Sequence, residues 1–148
     1  MERSSTSKHW IEKELQHVNL GDKRLNRRFL KTSKLIEAKA SGSINQSCGS
    51  WKEAKGAYRL FRHEKLKEAD IYSSHAQETC NRIKGHPFIL CVQDTSYLDY
   101  DTHIKTQGLG SISKAYTKHK QGLLLHSTLA LSEDGLPLGL TSQQRKRI

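Results

Sequence analysis

The chain has 148 residues, 34% hydrophobic and 27% charged, with a formal net charge of +10 and a pI near 9.7. That length supports one ordinary core and a small appendage, and the longest apolar runs, 88–92 and 122–125, fall far short of the roughly 18 residues that cross a bilayer, so no membrane-spanning helix is expected. Three cysteines without a C-x-x-C pair argue against a disulfide framework and a cysteine zinc site. The polar residues 1–8 lack the apolar core of an export signal, and a cytoplasmic setting is expected.

A basic chain points to an anionic partner, and nucleic acid is the commonest one. The charge is uneven. Residues 1–85 hold 18 Lys and Arg against 10 Asp and Glu, net +8, whereas residues 86–148 hold 7 against 5, net +2. The electrostatic footprint belongs to the first half.

Trp10, Ile11 and Leu15 suggest a short opening helix, ended by Asn19-Leu20-Gly21. Asp22 is placed to cap a second helix over about 23–39. At 100° per residue Leu25, Phe29, Thr32 and Ile36 share one face, while Arg24, Arg27, Arg28, Lys31 and Lys34 gather opposite. Residues 41–43 (SGS) read as a loop. Ser50-x-x-Glu53 has capping-box spacing before a further helix, in which Trp51, Ala54, Tyr58 and Phe61 form the expected core stripe and Lys52, Lys55, Arg59 and Arg62 a basic stripe beside it. Another helix is expected from about Asp70 to Ile83, stopped by Gly85 and Pro87.

The pattern then changes. Residues 88–92 (FILCV) are a continuous apolar run of strand length, the signature of a strand buried on both faces, with 95–100 extending it or forming a second piece. Residues 102–121 read as a long loop. Residues 123–131, the turn 132–135 (SEDG) and 136–140 read as a β-hairpin, and 143–148 carry no helix or strand signal. The expected boundary lies near Gly85, giving a helical basic domain over 1–85 and a strand-rich domain over 86–148. The fold class is α+β.

Asp94 follows directly on the apolar strand. A carboxylate held there can coordinate Mg²⁺ or Mn²⁺, although an aspartate at a strand end more often serves as a turn or capping residue. Asp99 and Asp101 read as loop acids, and Asp134-Gly135 as the hairpin turn. The eight histidines lack zinc-ligand spacing; His126 reads as a hydrogen-bonded core histidine. No nucleophile elbow or phosphate-cradling glycine loop is present. A single basic stripe commonly just solvates a helix, but two in a region of net +8 favour binding to nucleic acid, through phosphate neutralisation or entry into a major groove.

Several segments together resemble one family: 20–29 (LGDKRLNRRF), 56–62 (GAYRLFR), 92–100 (VQDTSYLDY), 109–112 (LGSI), 122–131 (GLLLHSTLAL) and 138–140 (LGL). In order and spacing they are similar to the bacterial insertion-sequence transposases of the IS-four family. The resemblance implies that residues to about 70 form the domain that grips the transposon end, and that the strands after Pro87 are the first three of an incomplete ribonuclease-H-like core. It makes Asp94 the first of three catalytic acids and a ligand of Mg²⁺ or Mn²⁺. Arg24, Arg28, Arg59 and Arg62 become the leading end-binding residues, with Arg27, Lys31 and Lys55 next.

The implied activity is cut-and-paste DNA transposition by metal-dependent phosphodiester hydrolysis and strand transfer. The implied partners are the terminal inverted repeats of double-stranded DNA and a second transposase chain, as a homodimer or with a full-length copy, and the implied location is the bacterial nucleoid. The family's second aspartate and its glutamate lie beyond residue 148, so an end-binding, cleavage-inactive fragment is expected. A stand-alone DNA-binding protein or transposition inhibitor, and a non-functional remnant, are the alternatives.

Overall fold

The first four helices of this chain each start at a capping side chain. In the computed structural model, which describes residues 9–103, 105–112 and 120–147, helix α1 (Trp10–Glu14) begins at His9, whose ring nitrogen accepts from Ile11 N. Helix α2 (Lys23–Glu37) begins at Asp22, whose carboxylate accepts from Arg24 N at 2.7 Å and Leu25 N at 2.9 Å. A short helix α3 (Ile44–Cys48), not anticipated above, carries a complete capping box between Ser43 and Gln46. Its Ser-x-x-Gln spacing was the available signal. Gly49 in the left-handed region (φ +67°) ends α3, and Ser50 at once caps α4 (Trp51–Phe61). Helix α5 runs Glu68–Ile83. None of these helices is long and apolar enough to cross a membrane.

The chain divides into two compact units, Met1–Glu78 and Thr79–Ile148. In the first, Leu20, Phe29 and Leu60 form one buried cluster, and Cys48, Ala54 and Ala57 form another. Burying side chains the size of Phe29 and Leu60 contributes roughly 1.5–3 kcal/mol each. The buried face of α2 matches expectation at Phe29 and Thr32.

The expected core stripe of α4 is corrected. Ala54, Ala57 and Leu60 are the buried residues, while Trp51, Tyr58 and Phe61 are 73%, 39% and 44% exposed. Small residues let α4 approach α2 and α3 closely, and a hydrophobic period alone does not say which arc meets a neighbour. The first part of α5 is tied to the α1–α2 connection: Ser74 Oγ donates to Glu14 O at 2.8 Å, and the buried Glu78 accepts from Gln16 Nε2 at 2.8 Å.

The second unit is an antiparallel sheet of β1 (Leu90–Asp99), β2 (Gly110–Ser111), β3 (Gln121–Leu131) and β4 (Pro137–Lys146), with β3 pairing all three others. The hairpin stands where expected. Gly135 takes φ +80°, and Ser132 closes the turn by donating its N–H to Leu136 O at 2.9 Å.

Three expectations about this unit are corrected. The 88–92 run is not buried on both faces: Phe88, Leu90 and Val92 are each about half exposed, since a continuous apolar run does not by itself supply the layers that cover a sheet's two faces. Asp94 does not follow the strand but lies inside it. Residues 143–146 belong to β4, since pairing with β3 satisfies their backbone whatever their side chains. Of the expected loop over 102–121, residues 104 and 113–119 lie outside the described residues, as do 1–8 and 148.

Candidate nucleic-acid interface

Helix α4 presents a cationic outer face. At 100° per residue Lys52, Lys55, Arg59 and Arg62 fall on the arc opposite Ala54, Ala57 and Leu60, and all four are exposed. None of them makes an ion pair among the described residues. Trp51 and Tyr58, displaced from the expected core, flank Lys55 and Arg62 on that same outward surface. The result is an aromatic and basic strip on one rigid helix. Arginine and lysine there can neutralise phosphates, and exposed rings offer flat surfaces to sugars and bases. The two aromatics were missed because tryptophan and tyrosine at helical spacing look like core.

The basic face of α2 is used differently. Arg28 Nη1 and Lys31 Nζ each donate to Glu53 of α4 at 2.7 Å, and Lys34 pairs with Glu12 of α1. All three therefore brace α2 against its neighbours, and two of them, Arg28 and Lys31, are among the expected DNA contacts. Lys31 foremost, with Arg28, holds the Glu53 carboxyl below its ordinary range. Arg24 and Arg27 are exposed. Arg24 opens onto a groove with Arg28, His63 and Lys65, next to the Asp22 carboxylate, which the N–H groups of Leu25 and Arg24 hold below its usual range.

Asp94 is exposed on β1, with Ser127 as its partner on β3 and Gln143 as the next partner on β4. Both neighbours are neutral. Among the described residues no group of three His, Cys, Asp or Glu side chains is placed to hold a metal ion. A Mg²⁺ or Mn²⁺ ion needs several oxygen ligands in fixed geometry, and in this row Asp94 supplies the one carboxylate, beside Ser127 and Gln143.

Asp99 and Asp101 are occupied locally. Asp99 accepts from Asp101 N at 2.9 Å and Lys120 Nζ at 3.4 Å, and Asp101 accepts from Gln121 N at 2.6 Å. The Asp101 N–H foremost, with Lys120, lowers the Asp99 pKa. His126 is half-buried and shares a 2.7 Å hydrogen bond with Thr95 Oγ1.

A small helical unit with an uncompensated basic helix face is the kind of structure that binds nucleic acid. Residues 7–66 match the family model of transposase DNA-binding domains. The match covers α1 to α4 with both basic helices, supports a transposase-type N-terminal region that binds DNA, and does not extend to the sheet.

Proposed function

We propose that this chain is the front part of an IS-four-type transposase and that it binds the terminal inverted repeats of its element through the outer face of α4. The observation that carries this reading is the free cationic row Lys55, Arg59 and Arg62 with Trp51 and Tyr58 beside it, inside the matched segment. Arg24 and Arg27 extend the surface on α2, while Arg28 and Lys31 hold α2 to α4 and act on DNA mainly by keeping that surface rigid. On this reading the sheet begins a ribonuclease-H-like core, for which the order of strands and the resemblance of residues 92–100 and 122–131 are the support. Asp94 supplies one carboxylate to that core. Binding without cleavage is the activity proposed for this chain by itself.

The test compares the purified chain on the element's terminal repeat and on a scrambled duplex at two salt concentrations, with Mg²⁺ present and products resolved on a denaturing gel. Preference for the repeat, lost in Arg59→Ala/Arg62→Ala, supports end binding. Equal affinity for both duplexes replaces it with a sequence-independent DNA binder. Cleavage abolished by Asp94→Ala overturns the inactive reading.

A further inference from the structure

The sheet unit carries a cationic feature separate from the helical interface. Cross-strand partners share a sheet face, and alternate residues along a strand share it too. Asp94, Ser127 and Gln143 therefore form one row on one face. The next row on that face is Ser96, Leu125 and Arg145, and the row after it contains Leu98 and Leu123. Toward the end of β4 this face closes into a cavity of about 480 Å³ in which Tyr100, Gly108, Leu109, Leu123, Arg145 and Arg147 take part.

Gly108 adopts φ +87°, and a β-carbon there would stand 2.6 Å from Arg147 Nη2. The guanidinium thus rests directly on glycine backbone, in a conformation other residues rarely adopt. No Asp or Glu is among the described lining residues.

Two guanidinium groups lining one cavity match the geometry of a phosphate group, and Tyr100 with the two leucines adds a flat apolar flank of the kind a sugar or base covers. From Asp94 to Arg145 is two residues along the strands and two strands across, roughly 12 Å. That is about a third of a turn of duplex DNA.

We infer that this cavity is a phosphate seat for a nucleic-acid strand, with Arg145 and Arg147 as its forks, and that a strand seated there runs across the sheet face bearing Asp94. The identity of the ligand rests on the DNA-binding reading above; the anion chemistry does not.

The test titrates the ¹⁵N-labelled full chain first with inorganic phosphate and then with a five-residue thymidine oligonucleotide, following the Gly108 amide and the Arg145 and Arg147 Nε–H resonances. Saturable shifts with both probes are expected, with oligonucleotide affinity at this seat reduced about tenfold or more in Arg147→Ala. Gly108→Ala, which displaces the guanidinium without removing it, should weaken the same shifts while the helical resonances stay unchanged. Resonances that stay still with both probes, or move equally in Arg147→Ala, overturn the seat. Shifts with phosphate alone overturn its assignment to a nucleic-acid strand. In Arg59→Ala/Arg62→Ala the oligonucleotide shifts should persist, so a failure of end binding on α4 is told apart from a failure here.

Discussion

A β-carbon on Gly56 would stand 2.8 Å from Arg28 Nη1. The α2 guanidinium lies across the one residue of α4 that has no side chain, and from there reaches Glu53 Oε2 at 2.7 Å. A glycine inside a helix costs about 1 kcal/mol relative to alanine. Here that cost accompanies a close passage for an arginine.

Gly56→Ala is expected to push Arg28 off Glu53 while gaining helix propensity. Melting temperature should then move by only a few degrees, because the displaced atoms are the far end of a flexible side chain, and affinity for duplex DNA should fall several-fold as α2 loses its brace. Unchanged affinity with a large fall in melting temperature would show that Arg28 serves packing alone.

The corrected orientation of α4 predicts opposite responses at neighbouring positions. Ala57 is fully buried beside Cys48 and Ala54, so Ala57→Leu overpacks that cluster and should cost about 1–3 kcal/mol. Trp51→Ala removes a larger side chain from an exposed site and should change stability by no more than about 0.5 kcal/mol, while weakening DNA binding. Urea unfolding of both variants decides it, and the reverse ranking would put Trp51 back in the core.

Acid should loosen the helical unit. Glu53 titrates below its ordinary value because of Lys31 and Arg28, and Glu78 does so because of the Gln16 hydrogen bond first and His17 next. A carboxyl with a depressed folded pKa contributes stability that is fully present above its unfolded value, about 4.3 for glutamate, and that disappears as pH falls through the folded value. Stability measured by urea should therefore be flat from pH 7 to about 5 and drop below about pH 4. Glu53→Gln and Glu78→Gln should each be less stable at neutral pH and show a shallower drop. An identical acid profile in the Glu78→Gln chain would remove Glu78 from this account.

Gly122 is a position where neighbouring backbone leaves no room for a side chain. A β-carbon there would stand 2.0 Å from Leu98 O of β1 and 2.9 Å from Ile112 Cδ1, and backbone cannot swing aside as a side chain does. Gly122→Ala should force β1 from β3 locally and cost about 1–3 kcal/mol, read as faster amide exchange at residues 123–125. Unaltered exchange there would mean the strands separate more easily than their register implies.

The local features were legible in the residues because they depend on neighbours in sequence. Asp22 and Ser50 each announced a helix start, since a side-chain oxygen there meets N–H groups two or three residues on. Asp134-Gly135 announced the hairpin, since the turn needs a positive φ. The basic rows of α2 and α4 followed from the helical period.

What only the tertiary structure decided was which surfaces meet. Period alone could not say that Ala54, Ala57 and Leu60 face inward while Trp51 and Tyr58 face out, nor that Arg28 and Lys31 would be drawn onto Glu53, 25 and 22 residues away. The apolar run 88–92 did not reveal that Phe88, Leu90 and Val92 stay half exposed. The polar residues 143–146 concealed a strand whose order comes from its partner, and the cavity at Gly108 and Arg147 brings together segments that no sequence spacing links. Backbone periodicity and capping are properties of a short segment, whereas burial and ion pairing belong to whatever the folded chain places opposite it.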